Sequence, residues 1–358
     1  MTMTEAPVFD QDWLEKSRSK SRSILPGIGR WVLAILGALL AFSAVIVFRG
    51  ADPLVVFADM WVSTFARPRS IAEIFIMMGP IALAALAVVI PARAGMSNVG
   101  GEGQVIVGAI FAGGIALATD QVLPGGVVLI LMFLGGMVGG AAWAAIAGVL
   151  RLVFQVNEAV STLLLNFIAL DLLLFLIYQP WRESSSGQPT SRQLAQDARL
   201  PELTGTGVNV GIIIALLATL VVAFVLAYTR WGFMLAVVGG NAEAARRAGL
   251  RVPLLILSAL LVGGALAGLA GMIQFAGTEQ TLRPGFAAQI GYIGFLASWL
   301  ARHRPLPVII ASFVFAALAV AGDSLQLDAQ LPAATINILT AFILIAVLGF
   351  TQKRGAAR

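Results

Sequence analysis

The feature that most constrains this chain is a succession of apolar runs, each close to the thickness of a bilayer. A helix needs about 20 apolar residues to cross the hydrocarbon core, and a run of 18 or more with few charges is already a candidate. Ten runs qualify or come close: Trp31–Phe48, Ile71–Ile90, Gln104–Ala118, Gly126–Leu150, Ala159–Tyr178, Gly211–Thr229, Val252–Ala276, Ala287–Leu300, Leu306–Gly322 and Ala333–Phe350. They are apolar all round rather than alternating with period two, so they predict helices and not barrel strands. The third and eighth are short, which predicts one or more broken or half-crossing helices. Only 11% of the 358 residues are charged and 59% are hydrophobic, against roughly a quarter charged in soluble domains. Soluble, disordered and collagen-like chains are thereby excluded. The expected fold is an all-α polytopic membrane protein with about ten transmembrane helices.

Lys and Arg set the orientation. With both termini inside, the internal segments hold 16 of the 23 Lys and Arg and the external ones 7. N-in and C-in is therefore favoured, and an even number of crossings follows. The formal net charge of +5 comes from these connecting segments, so it bears on topology rather than on nucleic acid. Residues 1–30 are expected as a cytosolic tail touching the interface around Trp13, Leu14, Ile24 and Leu25, and 351–358 as a second tail. Between them, 31–350 form a single membrane domain with a polar external loop at 179–210 and a basic internal loop at 230–251. Gly135, Gly136, Gly139 and Gly140 make two overlapping GxxxG pairs, which together with Gly264, Gly268 and Gly271 predict close helix packing within the bundle or, alternatively, a dimer seam.

Several chemistries are ruled out by residue type. There is no cysteine, and His303 is the single histidine, so thiol chemistry and a histidine-based metal cluster are excluded. None of the three lysines (Lys16, Lys20, Lys353) follows a glycine, so the G-x-x-x-x-G-K-S/T loop that cradles nucleotide phosphates is missing. If transport is ATP-driven, the motor is another polypeptide.

Three stretches carry the functional signal. The first is Asn98-Val-Gly-Gly-Glu-Gly-Gln104. Three glycines and a carboxylate make poor helix interior, which leaves two readings open. One is a helix break bordering a translocation path, with Asn98, Glu102 and Gln104 offering polar groups; the other is an ordinary turn. The second is the start of the fifth run, where Glu158, Ser161, Thr162 and Asn166 fall within about 140° at roughly 100° per residue. That polar face belongs against a neighbouring helix or a wet cavity. Asp171 lies deeper and on the opposite face, as a proton or solute site, a helix–helix contact or a group near the outer interface; Glu73 is expected at the interface. The third is 239–249, where Asn241 caps a short helix containing Glu243, Ala244, Ala245, Arg246 and Arg247, and Gly249 takes the left-handed position that ends it. It is either a solvated loop helix or a plug for a partner's groove. Pro284-Gly285 fits a type II β-turn, and Arg302-His-Arg-Pro305 forms a tight basic turn.

At these residues the chain resembles bacterial ABC-importer permeases of the branched-chain amino acid, ribose and nucleoside group, and most of all the longer permease of nucleoside (simple-sugar-like) systems. The resemblance rests on N-V-G-G-E-G-Q at 98–104, N-E-A-V-S-T-L-L-L-N at 157–166, G-G-N-A-E-A-A-R-R-A-G at 239–249, L-R-P-G-F at 282–286 and G-F-L-A-S-W-L-A-R-H-R-P-L at 294–306. It implies a non-catalytic subunit of the bacterial plasma (inner) membrane that carries a small polar solute, a nucleoside or else a ribose-like sugar. It implies a second related permease, an ATP-binding cassette ATPase holding ATP and Mg, and an extracytoplasmic substrate-binding lipoprotein as partners. This chain itself would bind no cofactor and no metal, and would contact membrane lipid but no nucleic acid. It further implies that Asn98, Glu102 and Asn166, with Gln104 and Thr162 beside them, lie near the solute path, and that 239–249 couples to the ATPase. Ser298 and Trp299 depart from the relatives' usual G-I/V-A-V-A-L-L. The competing class is an ion-coupled transporter using Asp171 or Glu73.

Overall fold

The computed structural model describes residues 25–119, 121–183, 187–328, 337–342 and 345. Their contacts divide the chain into two units, Met1–Met60 with Gly322–Arg358, and Trp61–Ala321. In the first unit, α1 (Leu25–Phe48) and α2 (Pro53–Trp61) bury Phe42, Ile46 and Val56, with the rings of Phe42 and Phe57 6.1 Å apart. α1 thus starts six residues inside the segment expected as a tail; the rest of that tail, including Trp13, Leu14 and Ile24, lies outside the described residues.

The second unit holds α3 (Pro68–Arg93), α4 (Gly101–Thr119), α5 (Gly125–Phe154), α6 (Glu158–Tyr178), α7 (Gly211–Tyr228), α8 (Arg230–Gly240), α9 (Ala242–Arg247), α10 (Val252–Gln274), α11 (Ile290–Leu300) and the start of α12 (Pro305–Asp328). Among the described residues seven helices are long and apolar enough to cross a membrane. A further pair, Leu36–Phe48 and Pro53–Ala66, is bent by 115°, as in a broken span or a re-entrant loop, and would bring the number to eight if it counts as one span. The run 333–350 falls mostly outside the described residues. Ala287–Leu300 contributes only the 11-residue α11. At about 1.5 Å per residue that is roughly 16 Å, half of a ~30 Å core, so α11 is a half-crossing helix.

The unit is built around backbone-to-backbone contact. α10 sits against α4 and α5 through glycines, so that a methyl group on Gly268 would overlap the Gly136 carbonyl, one on Gly140 the Gly264 carbonyl, one on Gly271 the Val105 carbonyl, and one on Gly108 the Gly268 Cα. With lipid as apolar as leucine, such close van der Waals approach is what holds helices together. The GxxxG glycines of α5 are therefore packing residues inside one subunit, with Gly136 and Gly140 facing α10 and Gly135 and Gly139 facing Ile115 and Phe111 of α4.

The segment 179–210 folds back on the helix ends. Ser191 N–H donates to the Leu282 carbonyl (2.9 Å), Leu194 N–H to Gln280 (2.9 Å) and Leu200 N–H to Ala276 (3.0 Å). Asp197 Oδ2 accepts from Gly125 N–H at the start of α5 (3.1 Å). Segment 230–251, expected as an internal loop, is mostly the helices α8 and α9. Arg283–Phe286 forms the expected turn, with Gly285 at φ +80° and the 286 N–H on the 283 carbonyl (3.0 Å).

Gly268→Leu should destabilise the unit by at least about 1–3 kcal/mol through overpacking. Its melting transition in detergent should fall clearly, while Gly126→Ala, where nothing lies within 4 Å, should melt as wild type.

Candidate functional site

After α3 ends at Arg93 the chain reverses at Gly95 (φ +76°) and re-enters the bundle without helical structure. Asn98 is fully buried and its Nδ2 donates to the carbonyl of Ala87 (3.1 Å). Ala87 lies six residues before the end of α3, about 9 Å along its axis, so the segment reaches well into the unit before α4 begins. Non-helical backbone at that depth is tolerated only when its polar groups are bonded by the surrounding protein.

Two sets of side chains do this. Asn98 and Gln104 form a reciprocal amide pair, each Nδ2/Nε2 donating to the other's oxygen at 3.0 Å, and Asn98 Oδ1 also accepts from Gly100 N–H (3.1 Å). The polar face of α6 supplies the second set, at i, i+4 and i+8. Glu158 Oε1 accepts from Ser97 N–H (3.2 Å), Thr162 Oγ1 from Val99 N–H (3.2 Å) and Asn166 Oδ1 from Gly103 N–H (2.8 Å). Asn166 Nδ2 donates in turn to the Val99 carbonyl (3.0 Å) and the Tyr292 hydroxyl (3.2 Å). Asn157 opens α6 by accepting from Ala159 N–H (2.9 Å), and Glu158 is ion-paired with Arg151 at the end of α5.

Glu102 completes the site. Its two carboxylate oxygens accept from Gln289 N–H and Gly291 N–H, both at 2.7 Å, at the first turn of α11. Glu102 is itself in the first turn of α4, so two helix N-termini meet with one buried carboxylate between them. The positive ends of both dipoles favour a negative group there, and α11 has its first donors satisfied. A methyl group on Gly291 would overlap the Glu102 amide nitrogen, so that approach needs glycine.

The structure thus brings Asn98, Glu102, Gln104, Thr162 and Asn166 together in one network, each 7% exposed or less. The non-helical stretch is 96–100, in which Met96, Asn98 and Gly100 are buried, Val99 is half-buried and Ser97 is exposed. The expectation that the glycines of 98–104 avoid helix is corrected, because Gly101 and Gly103 form the first turn of α4. Local propensity is overridden there by packing: beside Gly103 stand Asn166 and Trp143, and beside Gly101 stands Gly291. Sequence reasoning missed Tyr292, the two α11 amides and Trp143. Among the described residues the buried Trp143 Nε1 has no hydrogen-bond partner. No local pattern marks Tyr292, since its partner Asn166 is 126 residues away.

The coupling candidates form a separate, exposed group. Asn241 Oδ1 accepts from Ala244 N–H (2.9 Å), Glu243 pairs with Arg246 and Arg247 (3.1 Å each), Ala245 is buried, and Gly249 ends α9 at φ +84°. At the root of this helix Gly239 packs on the turn after α3, where a methyl group would overlap the Arg93 carbonyl and lie 3.0 Å from Gly95 N. The turn 301–304 carries His303, which meets Ser298 Oγ through Nδ1 (2.9 Å) and Trp299 edge-on (5.2 Å). Burial lowers the His303 pKa below its ordinary value. Ser298 and Trp299, the departures at 294–306, both contact His303. Among the described residues no three His, Cys, Asp or Glu side chains gather as metal ligands.

Residues 70–348 match the family described as branched-chain amino acid transport system / permease component. The chain belongs to that family. This permease is 34% identical over 328 residues to the glucose ABC transporter permease protein TsgB13 of Haloferax volcanii, covering 88% of this chain and 86% of the relative. It is 28% identical over 336 residues to the nucleoside ABC transporter permease protein NupB of Lactococcus lactis, covering 91% of each. It is 27% identical over 338 residues to the guanosine ABC transporter permease protein NupP of Bacillus subtilis, covering 91% of this chain and 97% of the relative. The permease is a non-catalytic, multi-pass subunit of the plasma membrane, as its family and its apolar helices show.

Glu102→Ala should leave the Gln289 and Gly291 amides without acceptors, at about 1.5–3 kcal/mol for each charge-assisted bond. Hydrogen exchange at those two amides should accelerate at least about tenfold, with Glu102→Gln intermediate. Unchanged exchange in the alanine variant would remove the capping role.

Proposed function

We propose that the permease is one of two related membrane subunits of an ATP-driven importer, taking a nucleoside from an extracytoplasmic binding lipoprotein. The motor in this reading is a separate ATP-binding cassette ATPase holding ATP and Mg, docked on 239–249. The observation that carries the coupling assignment is mechanical. Exposed α9 is joined through Gly239 and Gly95 to the segment 96–103, whose polar groups are held by side chains of α6 and by Asn98 and Gln104.

An importer needs two global states that its driving ligand binds differently. ATP-driven closure of the ATPase would push α9, shift the Gly239–Gly95 contact and re-pair the network around Asn98, Glu102, Gln104, Thr162 and Asn166. Hydrogen-bonded ends can exchange partners as a helix tilts, whereas the glycine seams of α10 with α4 and α5 move as one block. The five network residues thus border the solute path as a gate. A second permease is supported by the glucose and nucleoside relatives, for each of which a similarly named permease of the same organism also resembles this chain. The 34% identity to a glucose permease favours a simple sugar as the second reading of the cargo. Family membership leaves the ion-coupled alternative without support.

Glu243→Arg and Arg247→Glu each break intrahelical pairs worth only about 0.2–0.5 kcal/mol, so insertion and folding should persist. ATP-dependent uptake by the reconstituted complex should drop to background. Normal uptake in both variants would refute the coupling assignment, and uptake by this chain alone without ATP would refute the importer.

Labelled uridine and labelled glucose, offered in turn to the complete complex, decide the cargo. Uridine uptake is expected on the first reading, and glucose uptake without uridine uptake would replace it with the second.

A further inference from the structure

Ahead of α11 the chain runs beside α4 without helix. Leu282 lies level with Gly113, where a methyl group would come within 2.8 Å of its Cδ1, and Gln289 N–H reaches Glu102 (2.7 Å). Glu102 and Gly113 are about 16 Å apart along α4, so 282–289 passes through about half of a ~30 Å core as turns. The rest of the chain covers it only in part: Arg283, Pro284, Gly285, Ala288 and Gln289 are exposed. Non-helical backbone at membrane depth is tolerated where protein buries it or where it lines a water-filled cavity, and not against lipid. The strip is also polar at both ends. Arg283 pairs with Glu279 (2.6 Å), whose carboxylate also takes Gln274 Nε2 (3.4 Å), and Gln289 and Tyr292 stand at the Glu102 end. Helix contacts in lipid favour small, closely fitting surfaces, so an exposed strip that carries polar groups from the 179–210 segment to Glu102 suits water.

Gln289, the residue before α11, and Tyr292 are about one turn apart. The Gln289 carboxamide supplies donors and an acceptor, and half-buried Tyr292 supplies a ring and a hydroxyl that meets Asn166 (3.2 Å). The charges of the strip are spoken for, since Glu102 takes the α11 amides and Arg283 is paired with Glu279. A zwitterion leaving bulk water needs protein charges of both signs, whereas a neutral ring needs donors and acceptors. We propose that the exposed side of 283–289 is the wall of an aqueous path leading to the Glu102 network, where Gln289 and Tyr292 bind a neutral hydroxylated or heterocyclic ring and not an amino acid. This rests on the importer reading above and adds to it the wall of the path, two contact residues and the charge of the solute.

The wild-type chain has no cysteine, which makes single-cysteine variants clean. In the complete complex, Ala288→Cys should react with a water-soluble maleimide, while Leu220→Cys, on the exposed apolar face of α7, should not. Uridine or glucose should slow the labelling severalfold, and leucine should leave it unchanged. Gln289 sits at φ +71°, a conformation that glycine takes freely, so Gln289→Gly removes the carboxamide without straining the fold. It should raise KM for the transported solute about tenfold, the loss of roughly one hydrogen bond, with kcat little changed. Labelling no faster than at position 220 would mean that the second permease or lipid covers the segment, and would overturn the path. Labelling that neither uridine nor glucose slows, protection by leucine, or an unchanged KM would each overturn the site. Failure of the importer reading is distinguishable, because it shows as absence of ATP-dependent uptake by the wild-type complex, whereas labelling and protection need no transport.

Discussion

Backbone that leaves the helix inside an apolar bundle has no water to bond with, and the organisation of this permease follows from how that is resolved. Segment 96–100 enters the unit as irregular chain, and α11 begins well inside it. Each is acceptable only because a side chain elsewhere supplies the missing partner. α6 contributes Glu158, Thr162 and Asn166 at successive turns, and α4 contributes Glu102 to the amides of α11. The polar residues of the membrane region thereby become the fixtures that hold two broken spans in register.

The same arrangement separates what is rigid from what can move. The seams of α10 with α4 and α5 are backbone against backbone, with no room for a methyl group at Gly108, Gly140, Gly268 or Gly271. Close-packed interfaces of this kind switch between discrete arrangements rather than deforming gradually. The junctions at 96–103 and at the start of α11 are held by hydrogen bonds, which can be exchanged with little change in number. Gly239, near the end of α8, packs against Gly95, so α8 lies between the exposed α9 and the turn that leads into the hydrogen-bonded part.

α6 shows the division of labour within one helix. Its inward face is polar and satisfied by other segments of the chain, whereas its outward face is apolar with a lone carboxylate. The inward polar residues are accounted for by the folded subunit. Asp171 is not, since among the described residues it makes no hydrogen bond or ion pair.

The sequence by itself determined the helical membrane class, the polar face of α6, the cap and stop of α9 at Asn241 and Gly249, and the turn at Pro284-Gly285. Each is a local pattern, written in run length, in the 100° helical step or in a φ that glycine alone takes easily. Even the shortness of α11 was legible, because it is a matter of counting apolar residues. What the tertiary structure decided depends on partners far apart in the chain. Gly101 and Gly103 join α4 although glycine disfavours helix, because Gly291 and Asn166 occupy the space a side chain would need. Glu102 became the cap of a helix that starts 188 residues later at Ile290, and Tyr292 became the partner of Asn166. No periodicity encodes such pairings, since they exist only once the helices have packed and left particular donors without water.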